Sequence, residues 1–162
     1  MTDAALAPDG DWTLVVLPDT QYAVLSHPEV VGAQVDWILA HHAEWNVRGV
    51  LHVGDITDRN TEAEWQTVRR TLARLPGEVP FVVIPGNHDL GDGGSASDRT
   101  TGLYTGFTEA ELLGASALDS FPSTAPTSFV HELAAADGPW YVAALEFGPR
   151  DETIAWAQDT LT

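Results

Sequence analysis

Val47-Arg48-Gly49-Val50-Leu51-His52-Val53-Gly54-Asp55-Ile56-Thr57-Asp58 is the stretch that decides the architecture. It opens with a β-branched run, Val47–Val53, and closes with a polar cluster that begins at a glycine. Two other stretches follow the same plan. Trp12–Pro18 leads into Asp19-Thr20-Gln21, and Val79–Pro85 leads into Gly86-Asn87-His88-Asp89. Runs that are continuously apolar rather than alternating predict strands covered on both faces, as in a parallel sheet.

Helical patterns separate these runs. Pro28 marks the first helix start, and Val31, Val35, Ile38, His42 and Trp45 then recur on one face. Thr61 and Glu64 form a capping box ahead of Trp65, Val68, Leu72 and Leu75 at helical spacing. The order is β-α-β-α-β, whose crossovers are right-handed. In such an open α/β sheet the C-terminal strand ends gather on one edge, where ligands bind. Asp19, Gln21, Asp55, Asn87 and His88 are therefore expected in one place. Carboxylates so gathered repel one another, and a bound cation relieves the repulsion.

Leu90–Thr105, rich in Gly, Ser, Asp and Thr, reads as a long loop, followed by a short helix capped by Thr108 with Glu111. Thr127–Leu133 and Trp140–Phe147 flank the turn-rich Ala136-Asp137-Gly138-Pro139 and predict an antiparallel pair. From Asp151 a last helix places Ile154, Ala157 and Leu161 on one face. The expectation is one α/β domain over residues 1–162 that stops in mid-architecture.

Composition narrows the chemistry. No cysteine is present, so thiol nucleophiles and zinc-thiolate sites are excluded, and any metal must be held by Asp, Glu, Asn, Gln or His. A net charge of −17 sets 24 acidic residues against seven basic ones. Such a surface repels phosphate backbones and anionic lipid, so neither nucleic-acid nor membrane binding is expected. Met1–Asp11 has no basic or apolar segment of a signal peptide as written, which makes the cytoplasm the default compartment.

The two motifs Gly54-Asp55-Ile56-Thr57-Asp58 and Gly86-Asn87-His88-Asp89, in that order after Asp19, resemble those of the calcineurin-like metallophosphoesterases. The resemblance covers about the first half of such a domain and implies an αββα sandwich of four layers, incomplete here. It implies hydrolysis of a phosphoester by a hydroxide between two divalent ions, Mn²⁺ foremost, with Mg²⁺, Zn²⁺, iron or Ca²⁺ as alternatives. Asp19 would bind the first ion, Asp55 both and Asn87 the second. His88 would face the substrate and protonate the leaving oxygen, with Asp89 orienting its ring, while Asp58 would steady its loop.

Two departures stand out. Gln21 replaces the family's usual His, and a carbonyl oxygen there predicts a looser site that favours harder ions. The family's later His and its Gly-His-x-His are missing, so the missing C-terminal half of the domain would have to complete both metal shells. The rival reading is a non-catalytic binding or scaffold module of the same fold.

The remaining residues read more plainly. His52 is expected to be a core histidine with a backbone partner, and the Trp residues are expected to pack. Gly91–Ser95 lacks the Lys and helix of a phosphate loop, but it follows His88 and is a candidate mobile, substrate-facing loop. Arg99 within that region is the candidate cationic substrate contact, beside Asn87, and Glu146 a further residue near the same edge.

Overall fold

In a computed structural model, residues 11–135 and 137–162 are described. The readings made of residues 1–10 and of Ala136 lie outside them. Strand β1 (Thr13–Leu17) pairs in parallel with β2 (Val47–His52), and β2 with β3 (Phe81–Val83). The three apolar runs are thus the three strands of one sheet, each slightly trimmed. Leu17, His52 and Val83 stand side by side at its end, so the polar turns after them leave the sheet at one level.

The register puts Val15, Val50 and Phe81 on one face together with Leu17, His52 and Val83. That face is the floor of the main core, roofed by Val31, Val35 and Ile38 of α2 (Pro28–His41) and by Trp65 and Val68 of α3 (Glu62–Arg70). The other face is only partly covered. Leu133 lies so close over Gly49 that a Cβ there would stand 2.8 Å from its Cδ1, whereas Val16 and Val53 remain 56% and 55% exposed. Continuous apolar runs therefore overstated the cover on this side.

Helix α1 (Gln21–Ser26) was not anticipated, because it buries only Val24 and so leaves no apolar period to read. Helix α2 ends at His41, and His42 and Trp45 of the expected stripe fall in the turn beyond it. Helix α3 carries its capping box as read: the Thr61 hydroxyl faces the Glu64 amide while the Glu64 carboxylate accepts from the Thr61 N–H. Trp65 is fully buried against α4 (Leu103–Gly106), and at Gly102 any side chain would strike its ring, 2.1 Å from Cδ1.

The second sheet is antiparallel, in the order β4 (Ala117–Ser120), β5 (Phe129–Ala135), β6 (Gly138–Ala144), after helix α5 (Glu109–Leu113) with its Thr108–Glu111 capping box. The hairpin is real but displaced from the expected bounds, because Ala135 pairs directly with Gly138 and the strands meet closer to the turn. Helix α6 (Asp151–Thr160) packs against β5 and buries Thr153 and Ala157. Ile154 and Leu161, expected inside, are 38% and 45% exposed. The bond from Trp156 Nε1 to Asp119 of β4, 2.9 Å, fixes this rotation of the helix. No helix among the described residues is long and apolar enough to cross a membrane.

Candidate active site

The three turns at the strand ends interlock through glycine. Gly54 adopts φ +95°, and a Cβ on it would meet Gly86 Cα at 2.8 Å. A Cβ on Gly86 would stand 2.2 Å from both the amide nitrogen and Oδ1 of Asp55. Asp55 itself has φ +49°, a left-handed conformation that short polar residues tolerate better than most. Its carbonyl accepts the N–H groups of Thr20 and Gln21, each at 3.1 Å, and its Oδ1 accepts the His88 N–H at 2.9 Å. One residue thereby ties the second turn to the first and the third.

Beneath these turns lies a saturated floor. Asp89 is wholly buried; Oδ1 accepts from the Thr57 N–H (2.7 Å) and hydroxyl (2.8 Å), and Oδ2 from the N–H groups of Ile56 and Gly86 (2.9 Å each). Burial pushes its pKa up to about 6, and the bonds from Ile56, Thr57 and Gly86 pull against that rise, leaving it ionised at neutral pH. His52, also buried, accepts the Gly54 N–H at Nδ1 (3.3 Å), so Nε2 carries the proton and donates to Thr20 Oγ1 (3.0 Å). Thr20 passes the chain on to the Ile56 carbonyl (3.1 Å). Burial lowers the His52 pKa to about 4, so the ring is neutral. The expected core histidine is found, with a side-chain partner besides the backbone one.

This geometry corrects the role expected for Asp89. Both its oxygens are taken by the second and third turns, and the His88 ring is held instead by the Asp58 carbonyl, 2.8 Å from Nδ1. That hydrogen bond raises the His88 pKa, and the Asp55, Asp58 and Asp19 carboxylates add to the rise while burial opposes it. Nδ1 therefore carries a proton. Asp58 is in turn fixed by Glu64, whose Oε1 accepts the Asp58 N–H at 2.9 Å.

Above the floor is an open rim. Asp19 is exposed and caps the Gln21 N–H through Oδ1 at 3.0 Å, while Asp55, Asn87 and His88 are partly exposed. Among the described residues, no donor meets the buried Gln21 Oε1. The orphaned oxygen belongs to a residue whose N–H is bonded to Asp19 Oδ1 and to the Asp55 carbonyl; carboxylate and amide oxygens suit a hard divalent cation, so Asp19, Gln21, Asp55 and Asn87 fit such an ion in kind. Among the described residues, however, no three His, Cys, Asp or Glu side chains gather into a metal-binding group.

Arg99 is not free for a substrate in the way expected. Its Nη1 and Nη2 donate to the carbonyls of Phe147 (2.7 Å) and Gly148 (2.6 Å), and Nη1 lies 3.4 Å from Glu146. Glu146 is buried and also pairs with Arg150 at 3.3 Å, so it anchors these two arginines rather than entering the site. The loop after His88 is tied by backbone bonds: Gly91 N–H donates to the Thr100 carbonyl at 2.8 Å and Ala96 N–H to the Leu90 carbonyl at 2.9 Å. Sequence reading missed Asn60 and Thr57 here; Asn60, with φ +54° and a place just beyond the second motif, offered only the signal of its residue type.

The chain matches the calcineurin-like phosphoesterases over residues 14–147. It is 30% identical over 158 residues to the uncharacterized protein YvnB of Bacillus subtilis (strain 168), a match that covers 93% of this chain and 12% of that one. Over 40 residues it is 50% identical to a probable glycerophosphodiester phosphodiesterase, GpdQ, of Arcobacter nitrofigilis, which covers 25% of this chain and 14% of the other. The matched segments thus cover only 12% and 14% of the lengths of these two relatives. No solved structure matches it. The match across most of the chain makes it a member of the calcineurin-like phosphoesterase family.

Proposed function

We propose that this chain supplies part of the active centre of a divalent-metal-dependent phosphoester hydrolase, completed by further ligands in a longer polypeptide. The observation that carries the reading is the interlocked rim: Asp55 bonded to both neighbouring turns, and Gln21, whose N–H its carbonyl accepts, carrying a side-chain oxygen that no described donor meets. Asp19, Gln21, Asp55 and Asn87 would hold the ions, of which Mn²⁺ is the first to try. When bound, such ions acidify water and neutralise charge on a phosphate. The chain's own residues would do the rest. Asp55 holds its place through the His88 amide, and the His88 ring, fixed at Nδ1, presents Nε2 to the leaving oxygen as a proton donor. Because the partly similar Arcobacter protein is named a phosphodiesterase, phosphodiesters are the proposed substrate class.

The layering supports the same reading. Helices α2 and α3 back the parallel sheet, Leu133 brings β5 over its other face, and α6 packs on β5. This order fits the four-layered domain we propose for the complete protein. A second reading, a phosphoesterase-fold module without catalysis, is favoured by Gln21, which stands where the resemblance leads one to expect a His ligand.

Hydrolysis of bis(p-nitrophenyl) phosphate by the full-length protein decides between them. Turnover that needs a divalent ion and falls by about 10²–10⁴-fold in His88→Ala is the expected outcome. No turnover with Mn²⁺, Mg²⁺, Ca²⁺, Zn²⁺ or Fe²⁺ would leave the non-catalytic module.

A further inference from the structure

Asn60 occupies an unusual position between the second motif and the loop that follows the third. Its backbone is left-handed, φ +54°, which asparagine tolerates. Its side-chain amide uses every valence it has. Oδ1 accepts from Trp65 Nε1 (2.7 Å) and from the Gly102 N–H (2.9 Å), and Nδ2 donates to the carbonyls of Gly91 (3.0 Å) and Thr100 (3.1 Å). Two donors meet the oxygen and two acceptors meet the nitrogen, so the amide has one orientation. Gly91 and Thr100 are also bonded to each other, and together they form the neck of the loop.

What this neck holds in place lies against the site. At Gly94, φ +70°, a Cβ would stand 2.6 Å from the Asp58 carbonyl oxygen and 2.8 Å from that of His88. The loop backbone is therefore packed onto the very carbonyl that accepts from His88 Nδ1. Glu64 also holds Asp58, by accepting its N–H. The Asn60 N–H adds a bond to Thr57 Oγ1 (3.2 Å), which itself donates to Asp89.

We infer that Asn60 is a positioning residue: it closes the loop 91–100 onto Asp58 and so fixes the orientation of the His88 ring. The part concerning catalysis rests on the hydrolase reading above. Asn60→Asp is the natural probe, since it keeps the acceptors for Trp65 and Gly102 and tolerates the left-handed backbone. It replaces the two donors with an oxygen that faces two carbonyls. Asn60→Gly is the second probe, keeping the backbone conformation and removing the amide.

Two measurements on the full-length protein test the inference. Hydrogen exchange followed by mass spectrometry needs no turnover. Peptides spanning 91–102 should exchange about ten-fold faster in both variants, with the other sheet and helix peptides unchanged; unchanged exchange in this loop would overturn the anchor. The second is a kinetic cycle with His88→Ala on the same phosphodiester. Asn60→Asp should lower kcat by about 10–100-fold with KM within about two-fold, and should cost nothing further in the His88→Ala background. An equal loss in that background would overturn the route through His88. If the wild type turns over nothing, the hydrolase reading falls, while the exchange experiment still decides whether Asn60 anchors the loop.

Discussion

Asp89 and Gln21 belong to the same cluster of turns, yet their polar atoms meet opposite conditions. Both Asp89 oxygens are buried under donors from Ile56, Thr57 and Gly86, while among the described residues Gln21 Oε1 is buried with none. A buried acceptor without a donor costs about 1–3 kcal/mol, so a fold keeps one only where something else offsets the loss. A carboxylate with both oxygens satisfied offers no such opening. The difference separates a floor, which holds three turns together, from a rim, to which the proposed function assigns the ligand. It also explains why a motif can contain adjacent residues with unrelated tasks: His88 faces the rim and Asp89 the floor.

The sharpest way to break this division is Asp89→Asn. Its NH₂ group must face at least one backbone N–H, leaving that donor orphaned and weakening the remaining bonds by loss of charge. A loss of about 2–4 kcal/mol in unfolding free energy is expected by urea titration. A loss below about 0.5 kcal/mol would mean that the floor does not hold the turns.

Gly86→Ala tests the seam between floor and rim. The new methyl would stand 2.2 Å from Asp55 Oδ1, so Asp55 or the turn must shift. Overpacking of this kind costs about 1–3 kcal/mol, and the displaced Asp55 should weaken Mn²⁺ binding as well. Calorimetry that finds normal Mn²⁺ affinity in a stable variant would show that Asp55 does not depend on this contact.

Gln21→His should have the smallest effect on the fold and the most selective one on the rim. Folding stability should stay within about 0.5 kcal/mol. Affinity for Zn²⁺ should rise about ten-fold over that for Mn²⁺, because imidazole is the softer donor. Unchanged preference in competition titrations would remove Gln21 from the set of proposed ligands.

Much of the frame was legible because its causes are local. The three β-branched runs, the capping boxes of Thr61 and Thr108, and the glycines before Asp55 and Asn87 each declare themselves within a few residues. The short helix α1 and strand β4 were not legible, since neither buries enough apolar surface to leave a period. Arg99 shows the limit in the site itself. An arginine near His88 suggests a substrate contact, but Phe147, Gly148 and Glu146, nearly fifty residues away, engage its guanidinium.

By itself, the sequence determined the order of elements and which residues leave the strands on one edge, because backbone periodicity and turn chemistry are properties of neighbouring residues. Tertiary structure alone decided how adjacent residues divide their work. Whether Asp89 steadies His88 or the turns beneath it depends on which donors reach it from Ile56, Thr57 and Gly86, and whether Gln21 Oε1 is satisfied depends on which donors reach it, of which there is none among the described residues. Hydrogen bonds act over about 3 Å in space and are indifferent to separation along the chain, so no local pattern could have assigned them.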